Sequence, residues 1–291
     1  MAKPEIISYE NSPWRMEFWR GREYEDRAER IALKKLLPPR GARVVEIGAG
    51  FGRLAEFYSG YERVILLDYA RTMLQDARAR LQNDPRFIFV AADLYNLPLA
   101  DSALDTVVTV RVLHHVADIP RAFAEIARVV RPQGAYVLEF ANKRHLKARV
   151  RYALNPRASN PNSLDPYEFV KLNFNFHPRY ISENLGANNL VTQDKLAVST
   201  FRVPFLKRFI PSGILAALDG ALQYPLSNLE IAPSIFLCAQ SAKPGAPALN
   251  RALWRCVACG SNDITESPEA FMCGKCQRVY PIGDGIIEFK I

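Results

Sequence analysis

Apolar residues recur along the first half of this chain in short unbroken runs, separated by longer stretches of helical spacing. Val44 to Ile47, Arg63 to Leu67, Phe87 to Ala91, Asp105 to Val110 and Ala135 to Phe140 have the length and continuous hydrophobicity of strands buried on both faces. Between them, residues 53–59, Thr72 to Gln82 and Ile119 to Val130 read as helices. So does the charged run Arg15 to Lys35 ahead of the first strand, which ends at Pro38-Pro39. Five strands alternating with helices predict an α/β fold with a doubly wound, parallel sheet and right-handed crossovers.

The first strand runs directly into Gly48, Gly50 and Gly52, with Glu46 just before them. Glycine there removes the Cβ atoms that would keep the backbone from a ligand, and it tolerates the positive φ of a tight strand-to-helix turn. The expectation is a turn whose free N–H groups point into a site. A dinucleotide fingerprint needs a third glycine where this chain has Arg53. Asp68 ends the second strand 20 residues beyond Gly48, where a carboxylate can accept both ribose hydroxyls of an adenosine. Asp93 and Leu94 follow the third strand.

The run Glu46-Ile47-Gly48-Ala49-Gly50-Phe51-Gly52 resembles the first motif of class I S-adenosylmethionine-dependent methyltransferases. Leu113-His114-His115-Val116, with Ala124 to Gly134 behind it, resembles the broad methyltransferase family that includes the quinone-biosynthesis enzymes. Gln133 departs from that pattern, standing where the family usually has glycine. The resemblance covers residues 40–141 and implies a seven-stranded, mainly parallel Rossmann-like sheet within a domain spanning 40–242. A sixth strand is then expected near Leu196 to Val203 and an antiparallel seventh near Ser234 to Gln240. S-adenosyl-L-methionine is the implied cofactor, held by Glu46, Gly48, Gly50, Gly52, Asp68, Tyr69, Asp93, Leu94 and Arg111. In that arrangement Asp68 meets the ribose and Asp93 the adenine amino group. His114 and His115 are the candidates to position or deprotonate the acceptor, with local packing as the alternative. The N-terminal segment, residues 1–39, carries Trp14, Trp19 and Tyr24. By the same resemblance Trp19, Arg22 or Tyr24 closes the cofactor pocket; the alternative is aromatic packing on the core. Insertions near 142–189 and 204–228 are the expected substrate cap.

At 49% hydrophobic the composition is that of a globular protein. No apolar run reaches the roughly 18 to 20 residues of a membrane span, and the charged N-terminus lacks a signal-peptide core, so a cytoplasmic location is expected. The formal charge of +8 is uneven: residues 1–39 carry +1, 40–141 none, 142–250 +7 and 251–291 none. A local basic excess, with the run Lys143 to Arg151 at its start, points to an anionic partner at one surface. A small or lipid-like anionic acceptor under the insertions fits. RNA or a translation protein fits as well, and a non-catalytic cofactor-binding module is a third possibility. Phe205, Leu206, Phe209 and Ile210 beside Lys207 and Arg208 suit a cap helix, a partner helix or a membrane-surface helix.

Four of the five cysteines fall in the last 36 residues as Cys256-x-x-Cys259 and Cys273-x-x-Cys276. Two such knuckles 13 residues apart match a four-thiolate structural zinc site in a small ribbon, with a rubredoxin-like iron site as the alternative. Cys238 reads as a small core residue. Residues 243–250 form a Pro/Gly linker and 251–291 the ribbon. Tyr280 to Ile287 resembles the zinc-ribbon activator subunits that partner tRNA, rRNA and release-factor methyltransferases, here fused in cis. The tail residues Ile282, Ile286, Ile287, Phe289 and Ile291 are too apolar for so small a module to bury alone. The ribbon is therefore expected to dock on its own larger domain or across a dimer.

Overall fold

The computed structural model describes residues 4–12 and 18–290. In chain order the elements are α1 (Glu23–Leu36), β1 (Gly41–Ile47), β2 (Tyr61–Asp68), α2 (Arg71–Leu81), β3 (Phe87–Ala91), β4 (Leu104–Thr109), α3 (Ile119–Val129) and β5 (Val130–Ala141). An insertion of α4 (Leu146–Leu154), β6 (Tyr167–Val170), β7 (Asn173–Asn175) and α5 (Pro178–Ala187) leads to β8 (Leu190–Val198). The short α6 (Pro204–Phe209) and α7 (Ser212–Leu222) precede β9 (Ser234–Ser241). The ribbon supplies β10 (Ile264–Glu266), β11 (Ala270–Cys273), β12 (Val279–Gly283) and β13 (Ile286–Glu288).

Eleven strands join in the order β10-β11-β12-β13-β3-β2-β1-β4-β5-β9-β8. β1 to β5 are mutually parallel; β9 lies antiparallel between β5 and β8. Val44, Val45, Val64, Ile65 and Leu66 are all fully buried, as strands covered by helices on both faces must be.

The helix expected over residues 53–59 is only a short 3-10 turn, Ala55–Tyr58, and three further elements differ from the sequence reading, each for a local reason. α1 begins at Glu23, because Gly21 takes a φ of 71° and interrupts the helix; Trp14 and Arg15 lie outside the described residues. β8 ends at Val198 rather than near 203, because the next two amides, of Ser199 and Thr200, turn onto the carboxylate of Asp219. The expected turn at 131–134 is a bulge inside β5: Val130 pairs with Leu104, Ala135 with Thr106, and Gln133 sits at a φ of 60°. Left-handed backbone costs a side-chain-bearing residue roughly 1 kcal/mol, which is the physical reason glycine suits that position.

The ribbon is built into the sheet. β13 pairs in parallel with the outer edge of β3, Ile286 opposite Phe89, Ile287 opposite Val90 and Glu288 opposite Ala91, and the Phe289 amide donates to the Ala91 carbonyl at 2.8 Å. Leu253, Trp254, Phe271, Tyr280, Ile287 and Phe289 share one buried cluster with Val45, Ile65 and Val90. Lys243 of the linker donates to the carbonyls of Ala127 and Arg128. Docking is thus in cis.

Candidate active site

β1 to β4 all end on one side of the sheet, and the sequence-predicted cofactor residues gather there. The glycine turn does not present free amides, however. Gly48 and Ala49 N–H donate to the Leu67 carbonyl (2.7 and 3.1 Å), Gly52 N–H to Ala49, and Gly50 N–H to Asp68 Oδ2 at 2.8 Å. The glycine requirement comes instead from backbone and packing. Gly48 has a φ of 71°, and a Cβ on it would lie 2.3 Å from Val112 Cγ2. Asp68 Oδ1 accepts from Ala70 N–H at 2.8 Å, so amides on either side position both carboxylate oxygens. Burial pushes the Asp68 carboxyl above its usual range, against those hydrogen bonds.

The Ala92 amide donates to the Asp68 carbonyl, which brings the end of β3 beside the end of β2. Asp93, buried to 6% exposure, accepts from Tyr95 N–H at 2.8 Å, with Leu94 packed on the core alongside. Lys290, from the tail behind β13, donates to the Tyr69 carbonyl at 3.2 Å and lies 5.3 Å from the centre of its ring. Glu46 is buried, and its carboxyl is pushed up to about 7 by that burial. It lies among Arg53, Tyr58 and Asp68, beneath the turn.

Arg111, just past β4, has a φ of 64°, a costly conformation for a long side chain. Two carboxylates hold it. Its amide donates to Glu139 Oε2 at 3.0 Å, and its guanidinium bonds Glu29 on α1. Glu29 is wholly buried and also bonds Arg53 at 3.0 Å, while Asp26 takes Arg53 at 2.5 Å. A buried carboxylate is tolerated when paired and hydrogen-bonded in this way. The same bonds clamp α1 over the sheet end. Trp19 stacks on Arg53, whose guanidinium is 4.0 Å from the ring centre, and Arg22 covers Phe18. Tyr24 is buried, donating to Asp219 and accepting from the Phe201 amide, and it also lines the cavity between α1, α4 and α6.

A feature with no sequence signal is a strap formed by residues 5–11. Lys171 bonds Glu5, the Tyr9 hydroxyl meets His115 Nε2 at 2.9 Å, and the Glu10 carboxylate caps the start of α2 through the Arg71 and Thr72 amides (2.6 and 3.0 Å). The strap spans the sheet end from the β6–β7 hairpin to α2. His115 Nδ1 meets the Leu172 carbonyl at 3.1 Å, so both its ring nitrogens are engaged. His114 lies against it, ring centres 3.9 Å apart, and burial followed by the charges of His115 and Arg111 keeps it neutral. His145 and His177 are helix N-caps, accepting from the Ala148 and Arg179 amides.

A cavity of about 690 Å³ lies between the start of α1, α4 and α6, with Arg22 on its wall within reach of the Arg111 charge. Arg20, Arg22, Lys147, Arg202, Lys207 and Arg208 line it, against Glu23 and Glu25. Glu25 is buried and takes Lys207 through both oxygens (2.8 and 2.9 Å), so the remaining field is positive. The run Lys143 to Arg151 is less available than it looked. Lys143 donates to the Ser163 and Asp165 carbonyls, Arg144 pairs with Glu230, and Arg149 reaches the Arg144 and Leu229 carbonyls.

The four cysteine sulfurs of the ribbon lie within 4.8 Å of one another, with Cys256–Cys276 and Cys259–Cys273 at 3.6 Å. Four bonds of about 2.3 Å to a tetrahedral zinc place sulfurs roughly 3.8 Å apart, so the donor set fits a four-thiolate metal. The Tyr280 hydroxyl donates to Cys256 Sγ at 3.0 Å.

Residues 45–138 match the methyltransferase domain family. A demethylmenaquinone methyltransferase from Roseiflexus is 35% identical over 130 residues, 43% of this chain and 53% of that protein. One from Clavibacter sepedonicus is 29% identical over 165 residues, 56% of this chain and 66% of that one. The chain spans 30% of the length of one curated relative it matches and 66% of another. Among solved structures, a complex between the Haloferax volcanii Trm112 methyltransferase activator and a methyltransferase aligns with a TM-score of 0.54 at 18% identity, over 79% of this chain and 96% of that one. That likeness shows the fold.

Proposed function

We propose that the protein, whose residues 45–138 match the methyltransferase domain family, is a class I S-adenosylmethionine-dependent methyltransferase that transfers a methyl group to a small or lipid-like anionic acceptor. The observations that carry the proposal are the carboxylates of Asp68 and Asp93 at neighbouring strand ends, and a basic cavity whose Arg22 lies within reach of the Arg111 charge. The two carboxylates match the ribose diol and exocyclic amine of an adenosine. S-adenosylmethionine supplies a methyl group already electrophilic on its sulfonium, so the protein's part is alignment and exclusion of water. The residue 5–11 strap and α1 cover the site, and the cavity arginines and lysines orient an anion. His114, neutral and not fixed as His115 is, is free to position the acceptor by a hydrogen bond, since the burial and the Arg111 charge that keep it neutral disfavour its taking a proton. The demethylmenaquinone relatives support an apolar, lipid-like acceptor.

The commitment of Lys143, Arg144 and Arg149 to internal bonds weighs against an extended RNA grip. The Cys256, Cys259, Cys273 and Cys276 set is proposed to hold a structural zinc: four thiolates leave no position for water. Calorimetry with S-adenosylmethionine and its demethylated product tests the cofactor assignment. Asp68→Ala and Asp93→Ala should each weaken binding by roughly 1.5 to 3 kcal/mol. Unchanged affinity in both variants overturns it.

A further inference from the structure

Two helices, α4 and α6, bury no residue at all. A helix kept at the surface is ordinarily polar outward, yet these are not. On α4, Leu146, Val150 and Leu154 recur every fourth residue and form one stripe, 54%, 50% and 82% exposed. On α6, Phe205 and Phe209 are 69% and 64% exposed, with their rings 4.9 Å apart. Ile214 and Leu218 continue the pattern on α7. Of the seventeen large apolar side chains exposed among the described residues, fourteen lie between residues 146 and 229. Scattered exposed apolar residues are normal in any protein, but a concentration of this kind marks an interaction surface.

Cations are interleaved with the stripe. Lys147 and Arg151 flank it on α4, and Arg208 sits between the two phenylalanines; none of the three makes an ion pair with another described residue. The charges of Arg151, Lys147 and Arg202, after burial, hold His145 below its ordinary range, which places them around one point. Lys147, Pro204 and Arg208 also line the basic cavity, so α4 and α6 flank it.

We propose that α4, α6 and α7 form a docking surface for a bilayer carrying anionic lipid, their apolar side chains entering the headgroup boundary while Lys147, Arg151 and Arg208 meet lipid phosphates. Charge decides between possible occupants. A second copy placed by two-fold symmetry would set these cations against themselves. RNA would leave Leu146, Val150, Leu154 and Ile214 without partners, because aliphatic side chains offer bases no stacking face. An anionic membrane surface satisfies both sets at once. The inference goes beyond methyl transfer, and its test needs neither cofactor nor acceptor.

The full chain is sedimented with vesicles of phosphatidylcholine alone and of phosphatidylcholine mixed with phosphatidylserine. The expected result is binding to the mixed vesicles only, reduced about fivefold in Lys147→Gln and again in Arg151→Gln. It should be abolished in the double variant Phe205→Ser/Phe209→Ser, with thermal midpoints unchanged because all four side chains are exposed. Equal partition to both vesicle types, or none to either, overturns the proposal. So does a dimer in light scattering that the phenylalanine variant converts to monomer, or binding of bulk tRNA in place of vesicles.

Discussion

Replacing Phe289 with alanine should destabilise the whole sheet rather than the ribbon alone. Phe289 is 1% exposed, stacked on Trp254 with ring centres 5.6 Å apart and packed against Tyr280 at 4.5 Å and Phe271 at 6.1 Å. Its amide closes the pairing of β13 with β3 through Ala91. Truncation of a buried phenylalanine costs about 3 to 5 kcal/mol, against a total stability of about 5 to 15 kcal/mol for a typical domain. At a urea dependence near 3 kcal/mol per molar, the unfolding midpoint should fall by roughly 1 to 2 M. The assay is urea unfolding in a Trp14→Phe/Trp19→Phe background, followed in parallel by tryptophan fluorescence, which then reports Trp254, and by far-ultraviolet circular dichroism, which reports the sheet. Both curves should shift together in Phe289→Ala, with Phe289→Leu falling between it and the native chain. If the circular dichroism curve stayed in place while fluorescence moved, the ribbon would be an independent unit and the shared-core argument wrong.

Metal removal should act at a distance. The segment behind Asp93 is tied to the ribbon through Asn96 to the Val257 carbonyl, Arg255 to the Pro98 carbonyl and Ala100 to the Leu253 carbonyl. A chelator should therefore lower both the thermal midpoint and S-adenosylmethionine affinity; unchanged affinity after verified metal loss refutes the link. The Glu46 carboxyl, held up to about 7, binds its proton in the folded chain before the unfolded one does. Its stability contribution is full below pH 4.5 and is lost as pH rises through 7. Glu46→Gln removes that loss, so the stability difference from native should grow by roughly 3 kcal/mol at most between pH 5 and pH 8, and a flat difference is evidence against it. His114→Ala should reduce turnover more than cofactor affinity, whereas His115→Ala should mainly cost stability. Full turnover in both variants excludes a catalytic histidine there.

The parts of this architecture visible in the sequence are those set by local rules. Buried strands announce themselves as runs such as Val44 to Ile47, and thiolate knuckles by spacing. The residues that escaped do their work across the fold. Glu29 sits among charges that read as a solvated helix face, and only the approach of Arg53 and Arg111 makes it a buried clamp. The strap of residues 5–11 has no periodicity to find, since Tyr9 and Glu10 act on residues more than sixty positions away. The basic run Lys143 to Arg151 was legible only in part, because backbone carbonyls absorb Lys143 and Arg149, which a charge count leaves open, while Lys147 and Arg151 stay unpaired among the described residues. His177 escaped as well: it caps α5 by accepting from the Arg179 amide, and histidine is not among the residues that announce a cap.

The pairing of β13 with β3 has a kinetic corollary. A strand supplied by a separate subunit leaves the β3 edge bare whenever the complex dissociates, and a bare edge recruits unrelated strands. Here the strand is tethered to its own receptor, so its rebinding is unimolecular and insensitive to dilution, at an effective concentration set by the linker and not by the cell. The same tether carries a hazard at high concentration. A ribbon that unseats finds an identical β3 edge on every neighbouring chain, and reciprocal exchange gives a closed two-fold dimer with every hydrogen bond of the monomer preserved.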